Sequence, residues 1–221
     1  MIKSFLRVTL IGLALLASSA HSALLTVDTY SMLNGDVGSY SYWDETYDGS
    51  GNVGVSRSFL SGGTGDLTDG IIAATGWVAA EQGPPGAVLG DNGPYVGWVN
   101  LDPFITFTFA NLVNITKVTF HVDNSINVGG VGGPRAFSLN GGSLVSNTST
   151  RVNGSTAALS YNVDYTGTSF TTQIFRSASW VFVSEIQFEG TVVDVPAPSA
   201  FAYFTLALAG LFGLRKVRFK Q

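Results

Sequence analysis

Carboxylates are the reactive groups that this sequence offers in number. It holds fifteen Asp and Glu, two His and no Cys. Without a thiol, cysteine nucleophiles and cysteine-based zinc sites are excluded. His21 falls in the N-terminal leader, which leaves His121 as the one imidazole of the body. A single histidine does not furnish a His/carboxylate metal set, and no GxSxG elbow accompanies it. With Asp123 close by on the polar side of a strand pattern, His121 reads as a solvated side chain. Two acid pairs have the chemistry of glycoside hydrolysis, Asp44 with Glu45 and Glu185 with Glu189. Glu185 and Glu189 are an even number of residues apart, so a strand would put both on one side. Nothing in their local sequence separates these four from surface charge. Residues 65–70, GDLTDG, bring Asp66, Asp69 and several carbonyls into one short loop. Such an oxygen-rich loop suits a hard cation such as calcium. Residues 48–52, DGSGN, begin like a calcium loop but lack its glycine at the sixth position and glutamate at the twelfth, so they read as a turn.

The elements that must hold these groups are strands. Between the ends, Gly, Ser, Thr and Asn punctuate short β-branched and aromatic runs, the pattern of an all-β sandwich. In 104–123, Ile105, Phe107 and Phe109 alternate with Thr106 and Thr108. After Asn111 a second run sets Val118, Phe120 and Val122 against Lys117, Thr119, His121 and Asp123. Each has the period of two that buries one face and wets the other. Further strands are expected at 136–139, 157–163, 170–175 and 180–193. No long helical period interrupts them. Three glycine-bearing connections, 47–64, 82–97 and 124–134, are expected to be exposed loops of the kind that carries binding sites.

The two ends read differently. Residues 1–22 have a short basic start (Lys3, Arg7), an apolar run and small residues before 23. That is a Sec-type signal peptide, expected as a signal helix. Residues 195–221 join the breaker Pro196-Ala197-Pro198, an uncharged segment at 200–214 and a basic end with Arg215 and Lys216. The segment, expected as a hydrophobic helix, is shorter than the ~20 residues of an ordinary membrane span. The basic end predicts a cytoplasmic C-terminus. The domain between them, 23–194, keeps five basic residues against fifteen acids, a net charge of −10. That balance repels phosphate backbones and argues against nucleic acid as a partner.

Two resemblances follow from these residues. Leu67-Thr68-Asp69-Gly70 with Thr75-Gly76-Trp77, Tyr95-Val96-Gly97-Trp98 before Ile105-Thr106-Phe107, the segment 115–124 with Pro134, and the segment 183–188 occur in this order. Together they resemble the discoidin-like, galactose-binding jelly-roll sandwich over 65–193; residues 83–93 are an insertion relative to it. The resemblance implies one structural calcium on Leu67, Asp69, Thr75 and Glu185, and glycan binding through loops at one end. The aromatics expected to be exposed there and to stack on sugar rings are Tyr40, Tyr42, Trp43 and Tyr47. The tail resembles the PEP-CTERM sorting signal, with Ala197 where that pattern has Glu. It implies an exosortase partner, transient inner-membrane anchoring and delivery to the cell surface or matrix. The combined expectation is an exported, non-catalytic protein associated with exopolysaccharide. A carboxylate-dependent hydrolase or lyase and a purely structural surface protein are the alternatives.

Overall fold

A computed structural model of the chain describes residues 22–81 and 93–193. Residues 1–21 of the signal peptide, residues 82–92, which hold nearly all of the insertion, and the whole tail, including Pro196, Ala197, Pro198, Arg215 and Lys216, lie outside the described residues. Among the described residues no helix is long and apolar enough to cross a membrane.

The fold is an all-β sandwich. Its strands are β1 (Ala23–Leu25), β2 (Thr29–Leu33), β3 (Phe59–Gly63), β4 (Val96–Val99), β5 (Phe104–Asp123), β6 (Ala136–Leu139), β7 (Leu144–Ser146), β8 (Thr156–Phe175) and β9 (Trp180–Val192), with one short helix, α1 (Trp77–Ala80). A single hydrogen-bonded path runs β1-β9-β5-β8-β6-β7, with β2 (carrying β3) attached to β5 and β4 attached to β9. All pairings between these strands are antiparallel.

Two twenty-residue strands, β5 and β8, fold this path into layers. Residues 104–108 of β5 pair with β2 and β8. From Val113 onward β5 pairs with β8 and β9. The change of neighbour coincides with a register shift between Thr108 and Val113, and a second follows between Ile115 and Lys117. Bulges bend strands and strengthen their twist, and here they carry β5 from one layer into the other. The second of these shifts also reverses which parity faces inward. Thus Ile105, Phe107, Phe109, Val113 and Ile115 are buried, and then Val118, Phe120 and Val122. Rings from opposite layers meet between them. Phe107 and Phe188 are 4.9 Å apart, Phe170 and Phe188 5.6 Å, and Phe120 stacks on Phe137 at 4.2 Å. Each fully buried phenyl contributes about 1.5–3 kcal/mol of transfer free energy.

Several expectations are corrected. The runs at 104–109 and 118–123 form one strand, and 157–163 and 170–175 are the two ends of β8. The connection 47–64 contains the whole of β3. Asp123 does not share the solvated side of Lys117 and His121: it is buried and accepts hydrogen bonds from Trp77 N at 2.8 Å and Ser125 N at 2.8 Å. It thereby satisfies a backbone donor at the start of α1 that has no partner inside the helix.

Candidate functional site

Two groups of side chains stand out from the scaffold, an acidic set around residues 65–70 and a set of rings at one end of the sandwich.

The acidic set is organised by the loop that leaves β3. Asp44, which local sequence could not separate from surface charge, is fully buried. One carboxylate oxygen accepts from the Tyr30 hydroxyl, and the other accepts from Asp66 N at 2.8 Å. Its own backbone N–H donates to Asn34 Oδ1 at 2.8 Å. Asp66 in turn accepts from the Thr46 hydroxyl and from Glu45 N at 3.2 Å. A Cβ at Gly65 would stand 2.2 Å from Asp44 Oδ1 and 2.9 Å from the Tyr30 hydroxyl, so the loop closes only over glycine. Burial first, and then the neighbouring Asp66, lift the Asp44 carboxyl to about 7. Burial also lifts Asp66 to about 6 and Glu81 to about 8. Sealed and internally bonded, Asp44 does not offer a glycosidase carboxylate to a substrate. It holds the loop.

The edge of this set reaches solvent. Asp69 is exposed, with Oδ1 accepting from Ile71 N at 2.7 Å. Glu185 on β9 is buried, with Oε2 accepting from Gly70 N at 3.2 Å. Burial raises Glu185 to about 7, and the charge of Asp69 adds to the shift. Both side chains line a cavity of about 250 Å³ with Thr68, Gly70 and the 24–27 segment. Two of the four expected calcium ligands are therefore brought together. Leu67 O accepts from Ile186 N at 2.8 Å, and Thr75 O accepts from the Tyr95 hydroxyl at 2.9 Å. Thr75 does not line the cavity. Among the described residues no group of three or more His, Cys, Asp or Glu could hold a metal ion. Glu185 and Glu189 do share one side of β9, but Glu189 pairs with Lys117 and Glu185 is not surface charge.

The rings gather where β9 begins. Tyr42 sits at their centre, 4.6 Å from Phe182, 5.3 Å from Trp180 and 6.0 Å from Trp77, each edge to face. Trp180 stacks on Phe182 at 5.6 Å. Tyr40 packs edge-on against Tyr42 and Trp77. The 124–134 connection closes over them. Gly132 N donates to Trp180 O at 3.2 Å, Trp180 N donates to Gly130 O at 2.9 Å, and Trp77 Nε1 donates to Val128 O at 3.3 Å. Gly129, at φ 61°, has its Cα against the Trp77 ring, where a Cβ would come within 2.6 Å of Cζ2. These groups leave a pocket of about 180 Å³ lined by Tyr42, Trp77, Trp180, Phe182, Val131 and Ser39 among others. It is smaller than the ~300–1,000 Å³ of drug-sized sites and has room for one sugar ring.

None of the four aromatics expected to be exposed is: Tyr40 and Trp43 are half-buried, and the other two are buried. Tyr42 is 2% exposed and Tyr47 6%. Tyr47 belongs to the main core, where its hydroxyl donates to Tyr30 O at 2.5 Å and accepts from Gly63 N at 2.9 Å. Trp43 is half-buried away from the pocket and donates from Nε1 to Ser56 Oγ at 3.2 Å. Tyr40 and Tyr42 do reach the ring cluster. Trp77, Trp180 and Phe182 complete it and were missed. The signal available for them was the rarity of tryptophan, four in the chain, with Trp180 opening the last strand.

Residues 26–131 match a family described as discoidin domain-containing receptor 1/2, DS-like domain. Over those residues, slightly less than half of the chain, the sandwich is similar to that domain. No curated protein matches the chain. Among solved structures, it is similar to CBM32 of AlyQ in complex with 4,5-unsaturated mannuronic acid, at 12% identity over 75% of this chain and 97% of that one, with a TM-score of 0.37. It is also similar to truncated AlyQ with CBM32 and alginate lyase domains, at 12% identity over 80% of this chain, with a TM-score of 0.38; there the match spans 35% of the other chain.

Proposed function

We propose that this chain is an exported, non-catalytic surface or matrix protein whose discoidin-like domain binds polysaccharide through the ring-lined end pocket. The observation that carries the reading is a pocket of about 180 Å³ in which the half-buried Trp180 offers a ring face, backed by the buried Tyr42, Trp77 and Phe182. Apolar ring faces with a few polar edges suit the C–H faces of a pyranose. A glycan array probed with the full-length chain in detergent tests it. We expect binding to at least one polysaccharide, reduced about tenfold in Trp180→Ala and kept in Trp180→Phe, the loss and rescue of one stacked ring. Binding to no glycan sinks the reading.

The same proposal includes a structural calcium beside residues 67–70. Asp69 and Glu185 supply carboxylate oxygens on one cavity, and burial raises Glu185 to about 7, a cost that a bound cation would relieve. The remaining ligands would be carbonyls, such as Leu67 O, and water. An ion bound only by the folded state, at about 100 times its dissociation constant, adds ~2.7 kcal/mol and raises the melting midpoint by about 5–10 °C. Calcium against chelator in a melting experiment measures this. Glu185→Gln should remove the increment, and an unchanged midpoint in the wild type overturns the ion.

Export and sorting complete the reading. The leader at 1–22 would engage the Sec machinery. The tail, with Pro196, Ala197, Pro198, Arg215 and Lys216, would hold the chain in the inner membrane until an exosortase acts near the proline motif. Replacing Ala197 by Glu should speed loss of the tail, read as a mass shift of the exported protein.

A further inference from the structure

Away from the end pocket, the outer side of the layer formed by β3, β2, β5 and β8 bears an apolar row. Leu33 lies directly opposite Phe59 in the β2–β3 register. The β2–β5 register, Thr29 to Thr108 and Ser31 to Thr106, sets Leu33 opposite Phe104 when carried two residues further. Phe104 in turn pairs with Gln173. Alternation confirms the facing: Met32, Leu60 and Ile105 are buried beneath, while Phe59 is 62% exposed, Phe104 55% and Leu33 39%. The next row on the same side is Ser31, Thr106 and Thr171, all hydroxyls. Neither row carries a charge, in a domain whose net charge is −10.

We infer that this row is a binding track for one chain of a neutral, β-linked polysaccharide, a second contact that rests on the polysaccharide reading above. The spacing supports it. Strands lie about 4.8 Å apart, so Phe59 and Phe104, separated by β2, are set roughly 10 Å apart. That matches the advance of two sugar units in an extended β-linked chain, in which units n and n+2 present the same face. Both phenyls then stack on equivalent faces, Leu33 lies under the unit between them, and the neighbouring hydroxyls meet the polar rim of the chain. The area argues against a second protein copy. A phenyl of ~150–250 Å² at these exposures leaves about 100 Å² uncovered, so the row offers roughly 300 Å², well short of the ~800 Å² per partner of a standard interface. The lack of charge argues for a neutral polymer, because the acidic domain around the row repels an anionic one.

Affinity electrophoresis of the full-length chain in gels containing hydroxyethyl cellulose, mixed-linkage β-glucan or alginate tests the track. Phe59→Ala with Phe104→Ala should weaken retardation by a neutral polymer at least about tenfold, with an unchanged melting midpoint and unchanged binding of short oligosaccharides at the end pocket. Phe59→Tyr with Phe104→Tyr should retain it. Retardation by neutral polymers that is equal in wild type and the alanine pair overturns the track while leaving the pocket reading intact. Stronger retardation by alginate, or a concentration-dependent dimer abolished by the alanine pair, also overturns it. A wild type retarded by no polymer, and silent on short oligosaccharides too, removes both readings together.

Discussion

In chelator, the melting midpoint of this protein falls as the pH is raised from 5 to 8. Asp44, Asp66, Glu81 and Glu185 all have carboxyl groups raised by burial, to about 7, 6, 8 and 7. A carboxyl whose folded value lies above its unfolded value of ~4 favours the fold fully only below that unfolded value. Its contribution is lost as the pH climbs through the folded value. For Asp44, fully buried, the loss between pH 5 and 8 is on the order of 2–3 kcal/mol, or about 5–10 °C for a domain of this size. Asp44→Asn isolates this group. An asparagine keeps the acceptor for Asp66 N and stays neutral. The variant should lie closest to the wild type at the acid end of the range, exceed it most at pH 8 and show a flatter profile. Calorimetry across this range measures it, and a midpoint that rises with pH in chelator contradicts the burial of these acids.

Tyr47→Ala unfolds the domain at temperatures where Tyr40→Ala does not. Tyr47 lies in the main core, edge-on to Tyr30 at 5.2 Å, and its hydroxyl bridges Tyr30 O and Gly63 N. It thus pins the 44–48 segment to β2 and β3. Removing a buried aromatic of this kind costs about 3–5 kcal/mol, roughly 10 °C or more. Tyr40 is half-buried at the rim of the ring cluster, and its truncation should cost about 1 kcal/mol while altering glycan binding. Paired thermal melts and binding curves separate the two. Equal destabilisation would mean that Tyr47 does not occupy the core.

The period of two in the sequence exposed most of the core. Ile105, Phe107, Val118 and Phe120 all face inward as their alternation requires. What it hid was continuity. The break was expected at Asn111, because polar residues there interrupt the run, whereas the chain keeps pairing and absorbs the interruption in bulges. A bulge appears in sequence only as a change of parity, which a reading in short windows takes for a new strand. The acids were hidden for another reason. A carboxylate in a glycine-rich loop looks solvated until the tyrosine and backbone donors that cover it are in place. Those around Asp44 come from residues 14 positions before it and 22 after it. The same holds for the aromatics: Tyr42 and Tyr47 differ in nothing local, yet one joins the end cluster and the other the main core.

The position of β9 decides how the domain bears load. A pull entering at Val193, from whatever the tail is attached to, passes straight into this thirteen-residue strand. β9 is laddered to β5 from Val192 to Val183, and to β1 and β4 on its other side. Tension along its axis therefore shears many hydrogen bonds at once instead of opening them one after another. A protein tethered at this end and gripping a polymer elsewhere would yield abruptly, at high force, and not by gradual peeling.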